Sequence, residues 1–334
     1  MQKGLASTLG GRILAAARSG RCDCKLQRPA RLARRRVGRV DYPAVCVPIR
    51  GNRQMDHLQR LDPEGYIVPE ADLAKVQPAY EGLPRSAADL LLREFGSRLH
   101  SGYLYGSIVR GNAVPDRSDA DLAAVLWASA GEEDPYRARR VEQALQERFP
   151  VLAGAGVGLT DLQEVRSGAE RYGLQVFLRE LSVCICGADL RPDLPRTKPS
   201  AAVAVAFHRD TPLVLARARR ALATSTDPEV VRRACRAASR RMVQAAFAVV
   251  MARDRVWATV LEDQAAAVGG VFPRWEQAAR RAAEQGRRPV AEPGVVSELL
   301  ETFGRWAEEA LAQIASHAAK ADQHLPDRLP DSTT

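Results

Sequence analysis

The sequence predicts an α+β chain in which a small mixed sheet comes first and an all-α helical bundle follows. Three observations carry this. Between residues 86 and 186, short apolar runs at 103–105, 122–127, 155–162 and 181–186 alternate with segments of helical spacing. Pro192, Pro195 and Pro199 then crowd a linker at 187–199, and from Ser200 onward nearly every segment recurs at three- and four-residue steps.

From residue 55 to 84, Pro63, Gly65, Pro69, Pro78, Gly82 and Pro84 break any long element. A helix is expected from Ser86, an N-cap residue type, with Ala87, Leu90, Leu91, Phe95 and Leu99 on its inner face and Gly102 ending it. His100 then reads as a helix-end residue. A strand at 103–105 runs into Gly106-Ser107, a brief turn at 108–110, and a loop holding Gly111, Asn112 and Pro115. The next strand starts at Asp119 and continues through six apolar residues, 122–127, the pattern of a central strand buried on both faces. Pro135 opens a helix to about residue 148 with Val141, Leu145 and Phe149 inward, and Pro150 stops it. A strand at 155–162 carrying Asp161, a helix at 165–180 and a strand at 181–186 complete the α/β part. The bundle helices are expected at 201–223, 229–252, 256–268, 275–285 and 295–319, with Val231, Cys235, Ala238, Met242, Ala246 and Val249 as a core stripe. The domain division is a basic tail at 1–54, a unit at 55–195, a helical unit at 196–320 and a flexible end at 321–334.

The segment 103–122, YLYGSIVRGNAVPDRSDADL, has residue types whose spacing demands a particular chemistry. Side chains alternate along a strand, so Asp119 and Asp121 project to one side, roughly 7 Å apart. Like charges so placed repel unless a cation lies between them. Hard oxygen ligands suit Mg²⁺, which takes one or two carboxylates together with substrate phosphates. Gly106 allows close backbone approach, and Ser107 opens a turn with N–H groups and a hydroxyl for an anion.

At these residues the chain resembles the nucleotidyltransferase superfamily that includes DNA polymerase beta, poly(A) polymerases and the bacterial aminoglycoside nucleotidyltransferases. The pattern appears as Tyr105, Gly106, Ser107, eleven intervening residues, then Asp119, Ala120, Asp121 and Leu122. The form Gly-Ser-x-x-Arg-Gly, with Ser118 before the first acid, is most similar to the branch acting on small molecules and toxin-antitoxin targets. The resemblance implies a nucleotidyltransferase domain as the small mixed sheet, two Mg²⁺ ions bridged by Asp119 and Asp121, and a third carboxylate on a later strand. Asp161 is the residue that the resemblance puts there, as metal ligand and base for the attacking hydroxyl, with Glu164 as the alternative and a helix cap as the plain reading of either. Gly106, Ser107, Arg110 and Ser118 would hold the triphosphate, with ATP the expected nucleotide. The acceptor implied is a small aminoglycoside-like hydroxyl compound. A protein-modifying nucleotidyltransferase and a non-catalytic nucleotide-binding module are the competing readings.

Composition narrows the partners. The chain has 334 residues and a net charge of +9, yet residues 1–54 hold 13 Lys and Arg against two acids, and the remainder is near neutral at −2. A polymerase groove would place its basic residues in the folded body, so nucleic acid is not expected as a partner except through the basic tail. That tail reads as an upstream extension preceding a start at Met55, as a flexible basic arm, or as a transit peptide. Six cysteines form no CxxC pair and lie near no histidine at zinc-finger spacing. Cys184 and Cys186 read as buried strand residues in a reducing compartment. With no apolar run of 18 residues, a soluble cytoplasmic protein with no membrane contact is expected. Arg191, Arg196 and Lys198 in the linker read as solvated cations or phosphate contacts, and Glu262-Asp263 as a surface acidic pair or a lure for a cationic substrate.

Overall fold

Four strands set the frame on which the site is built. In the computed structural model, which describes residues 60–322 and the side chains of residues 60–318, β1 spans Leu99–Tyr105, β2 Asp119–Leu126, β3 Gly154–Asp161 and β4 Ser182–Gly187. The order across the sheet is β3-β2-β1-β4. β1 runs antiparallel to β2 and β4, whereas β2 and β3 are parallel. β1 and β2 are the inner pair and are buried along almost their whole length, which is the physical content of the apolar run at 122–126. The basic tail and the residues after 322 lie outside the described residues.

Helix α1 spans Leu83–Phe95, α2 Ser107–Arg110 and α3 Asp134–Arg148. α1 begins three residues before Ser86, because Pro84, with its fixed φ, suits a first helical turn rather than breaking it. Its stop is Gly96, at φ +51°, and not Gly102. Gly102 lies inside β1, where a Cβ would stand 2.7 Å from both Cys186 Sγ and Leu91 Cδ1, so its smallness serves packing of α1 on the sheet. His100 is accordingly a buried strand residue, its Nδ1 2.8 Å from Ser101 Oγ. α3 makes the crossover between the parallel strands. The buried Asp134 at its start accepts from Arg98 at 2.6 and 3.1 Å and from the Gly131 N–H at 2.7 Å.

The expected helix at 165–180 is two, α4 (Leu162–Arg166) and α5 (Leu174–Leu181), separated by a 3₁₀ turn at Gly168–Glu170. In the second half, the segment 201–223 divides at Arg209-Asp210 into α6 (Ala201–His208) and α7 (Thr211–Thr224). α8 (Pro228–Asp254) is the long central helix, capped by the Asp227 carboxylate on the Glu229 N–H at 2.8 Å. α9 (Leu261–Val271), α10 (Glu276–Arg287), α11 (Pro293–Leu299) and α12 (Arg305–Asp322) follow, the last two joined by a π-helical turn at Leu300–Gly304. The architecture is α+β, a small mixed sheet followed by a helical region. Among the described residues no helix is long and apolar enough to cross a membrane.

Each face of the sheet has its own core. Leu104, Leu122, Ala124 and Leu126 pack with Leu91 and Phe95 of α1 and Val141 and Leu145 of α3. Tyr103, Tyr105, Ala123 and Val125, on the other face, belong to one cluster with Phe177 of α5 and with Phe207, Phe247 and Phe303 of the helical region. Burying one such Leu or Phe contributes about 1.5–3 kcal/mol. The helical layer is thus held against the sheet face from which the odd-numbered residues of β2 project.

Candidate active site

Asp121 is paired with Tyr105, the last residue of β1, and shares a face with it. The end of β1 and the start of β2 therefore meet at one end of the sheet, with Gly106-Ser107 directly beyond. Tyr105 is fixed edge-on against Phe177 at 4.8 Å between ring centroids. Gly106 has φ +85° and ψ −156°, a region open in practice to glycine alone. A Cβ there would lie 2.5 Å from Asp121 Oδ2, so the carboxylate occupies the space that a side chain would need. Asp119, two residues back on the same face, has its Oδ1 3.0 Å from where a Gly154 Cβ would be. Asp121 is 2 % exposed. Burial pushes the Asp119 carboxyl above the usual range, opposed by Arg236 and Arg240.

Those two arginines come from α8 and were not singled out by the sequence. Their setting joins them to Arg110 at the end of α2. Burial pushes the Arg240 guanidinium down to about 10, the positive charges of Arg236 and Arg110 lower it further, and Asp121 and Glu262 oppose the shift. Arg110 is likewise lowered, first by burial, with Glu70 and Asp121 opposing and Arg60 adding to the effect. The only trace of this in the sequence is Arg232, Arg236 and Arg240 at four-residue steps, a like-charge repeat that is unfavourable on a solvated helix. Glu70, also missed, is buried, accepts from Thr259 Oγ1 at 2.6 Å, and faces Arg60 Nε at 3.6 Å.

The expected triphosphate contacts divide. Ser107 stands beside Gly106 in the turn. Ser118 Oγ accepts from the Val114 N–H at 2.9 Å and so braces the loop before β2. Among the linker cations, Arg191 pairs with Asp189 at 2.7 Å, Arg196 pairs with Asp62, and both Arg196 and Lys198 lie over the Tyr66 ring at 4.4 and 4.6 Å. The contacts of Arg196 and Lys198 fasten the linker to the segment before α1, and the Arg191 pair lies within the linker. Glu262 pairs with Arg287 at 2.8 Å.

Asp161 does not join the pair, and this corrects the sequence reading. β3 is parallel to β2 with Asp119 opposite Gly154 and Leu126 opposite Asp161. Asp161 is therefore five residues, about 17 Å, further along the sheet than Asp121. It also lies on the wrong face, in the row of Ala155, Val157 and Leu159 that packs with α1 and α3. Its carboxylate accepts from the Glu164 N–H and from Ser129 Oγ, each at 2.8 Å, which makes it the cap of α4. Glu164, the alternative, accepts from Thr160 Oγ1 at 2.6 Å at the same distant end. The residues of β3 on the Asp119 face are Gly154, Gly156, Gly158 and Thr160, and glycines stand opposite both Asp119 and Asp121. Among the described residues no three His, Cys, Asp or Glu side chains group as a metal site. Two carboxylates fit one Mg²⁺ shared with phosphates, not the two-ion centre that the resemblance implied.

No family model matches the chain, and no curated protein matches it. Among solved structures, spectinomycin adenyltransferase AAD(9) from Enterococcus faecialis, crystallised with ATP and spectinomycin, is similar at a TM-score of 0.42 and 13% identity, covering 70% of this chain and 99% of that one. A likeness of that degree carries no argument about this chain's activity.

Proposed function

We propose that the chain is a nucleotidyltransferase that holds a nucleoside triphosphate, ATP by expectation, at the head of β2 and transfers its nucleoside monophosphate to a hydroxyl of a small acceptor, releasing pyrophosphate. The observation that carries the reading is the carboxylate pair Asp119 and Asp121 set against the Gly106-Ser107 turn, with Gly106 leaving room for Asp121. Asp119 and Asp121 would hold one Mg²⁺ with the phosphates. That ion would supply Lewis-acid neutralisation of phosphate charge. The Ser107 hydroxyl and the backbone beside it donate to phosphate oxygens, and Gly106 admits the phosphate close to the main chain. Arg110, Arg236 and Arg240 add positive charge beside the two acids. Phosphoryl transfer demands mainly positioning and electrostatic stabilisation, so the loss of Asp161 as a base removes one contributor and leaves these. In this reading residues 55–195 form the catalytic unit and 196–320 the helical unit that covers it. The near-neutral charge of residues 55–334 favours a compact acceptor of the aminoglycoside kind over a nucleic acid.

A second reading, a nucleotide-binding module without transfer, is favoured by the glycines of β3 that face the pair where a third acid would stand. One experiment separates the two. The full chain is incubated with Mg²⁺, each labelled nucleoside triphosphate and a panel of hydroxyl acceptors, while pyrophosphate and a mass gain on the acceptor are followed. Transfer supports the enzyme. Nucleotide binding without pyrophosphate across the panel selects the module.

A further inference from the structure

Arg110, Arg236 and Arg240 are half-buried, and none has an ion pair within 4 Å among the described residues. The buried Nε atoms of Arg110 and Arg236 have no hydrogen-bond partner. The stem of Arg240 passes beside Gly286, its Cγ 3.0 Å from where a Cβ there would be. The three guanidiniums act electrostatically on one another and on Asp119 and Asp121, and the neighbouring Arg60 and Glu70 lie 3.6 Å apart. Buried like charges with orphaned donors are costly unless an anion satisfies them. The guanidinium fork matches phosphate oxygens two at a time.

We propose that these three arginines hold the polyphosphate of the nucleotide directly, so that binding beside Asp119 and Asp121 does not require a divalent cation. The inference rests on the reading of the Asp119 and Asp121 pair as a nucleotide site. It assigns the countercharge to arginines from both layers, where the sequence had assigned it to two metal ions. Magnesium then matters for transfer and not for capture.

The test is calorimetry of the full chain with ATP, and separately with inorganic tripolyphosphate, in Mg²⁺ and in excess EDTA. The expected result is ATP affinity in EDTA within about tenfold of that in Mg²⁺, with tripolyphosphate also binding in EDTA. The double variant Arg236→Met with Arg240→Met should bind at least about 100-fold more weakly in both buffers. Arg233→Met, at an exposed position on the same helix, should bind as wild type. Should the double variant not fold, Arg236→Lys keeps the charge and loses the fork, and weakening of about tenfold in EDTA is expected. ATP bound in Mg²⁺ but lost in EDTA overturns the inference and leaves the nucleotide reading intact, as does wild-type affinity in the folded arginine variants. No nucleotide bound in either buffer overturns both.

Discussion

Replacing Gly106 by alanine tests the geometry on which the site depends. Gly106 sits at φ +85° and ψ −156°, and the strain of an L residue there costs about 1–3 kcal/mol. The new Cβ would also stand 2.5 Å from Asp121 Oδ2, roughly 1 Å short of ordinary contact. Asp121 is 2 % exposed on an inner strand and has little room to retreat. A displacement near 1 Å in a reacting array costs on the order of 100-fold in rate. Gly96→Ala is the matched control. Gly96 also has positive φ, +51°, but nothing lies within 4 Å of a Cβ there. Both variants should melt lower, by about 2–4 °C per kcal/mol for a chain of this size. Gly106→Ala alone should lose pyrophosphate release, or Mg²⁺-ATP affinity where release is absent, by about 100-fold. Wild-type turnover or affinity in Gly106→Ala, with the melting drop present, would refute the placement of Asp121 against the turn.

Asp119→Asn and Asp121→Asn should each abolish transfer while circular dichroism stays close to wild type, because the amides keep the shape, and the melting transition falls with the lost countercharge beside the arginines. Retained transfer in either purified variant rules out its role at the metal. Asp161→Ala should lower stability by about 1 kcal/mol through the lost cap on α4 and leave turnover unchanged; a 100-fold fall in turnover would restore it to the site. Glu180, 1 % exposed and pushed up to about 7 by burial despite the opposing Arg179, titrates from an unfolded value near 4.5. The folded state holds its proton more tightly, so stability is fully present below pH 4.5 and falls as pH rises through about 7, by on the order of 3 kcal/mol. Denaturant melts from pH 4.5 to 8 should show that fall in wild type and lose it in Glu180→Gln; equal slopes in both would dismiss Glu180 as its source.

The central strand was legible in the sequence because β2 has two signals that reinforce each other, an unbroken apolar run and acids two residues apart. Asp161 was not, because a strand's own residues do not state its direction or its register. In β3 the parallel register takes the acid away from Asp121, and the side-chain alternation turns it to the opposite face. Gly102 looked like a helix stop since glycine serves both backbone freedom and tight packing, and only the neighbours Cys186 and Leu91 tell which. Arg236 and Arg240 lie outside the core stripe of α8, and which remaining side meets the sheet is a tertiary fact that periodicity does not contain. The breaks at Arg209-Asp210 and at Gly168–Glu170 were lost inside longer helical patterns for the same reason.

α8 is a 27-residue rod, about 40 Å long, whose rotational setting is held by the side chains it buries among its neighbours. One residue inserted in the turn at 225–227 would offset the phase of the whole rod by about 100° relative to its entry point. If the bundle yielded to that twist, the guanidiniums of Arg236 and Arg240 would turn away from Asp119 and Asp121 while the sheet kept its place. If the arginines hold nucleotide as proposed, affinity would then be exposed to insertions and deletions more than a hundred residues away from Asp119 and Asp121.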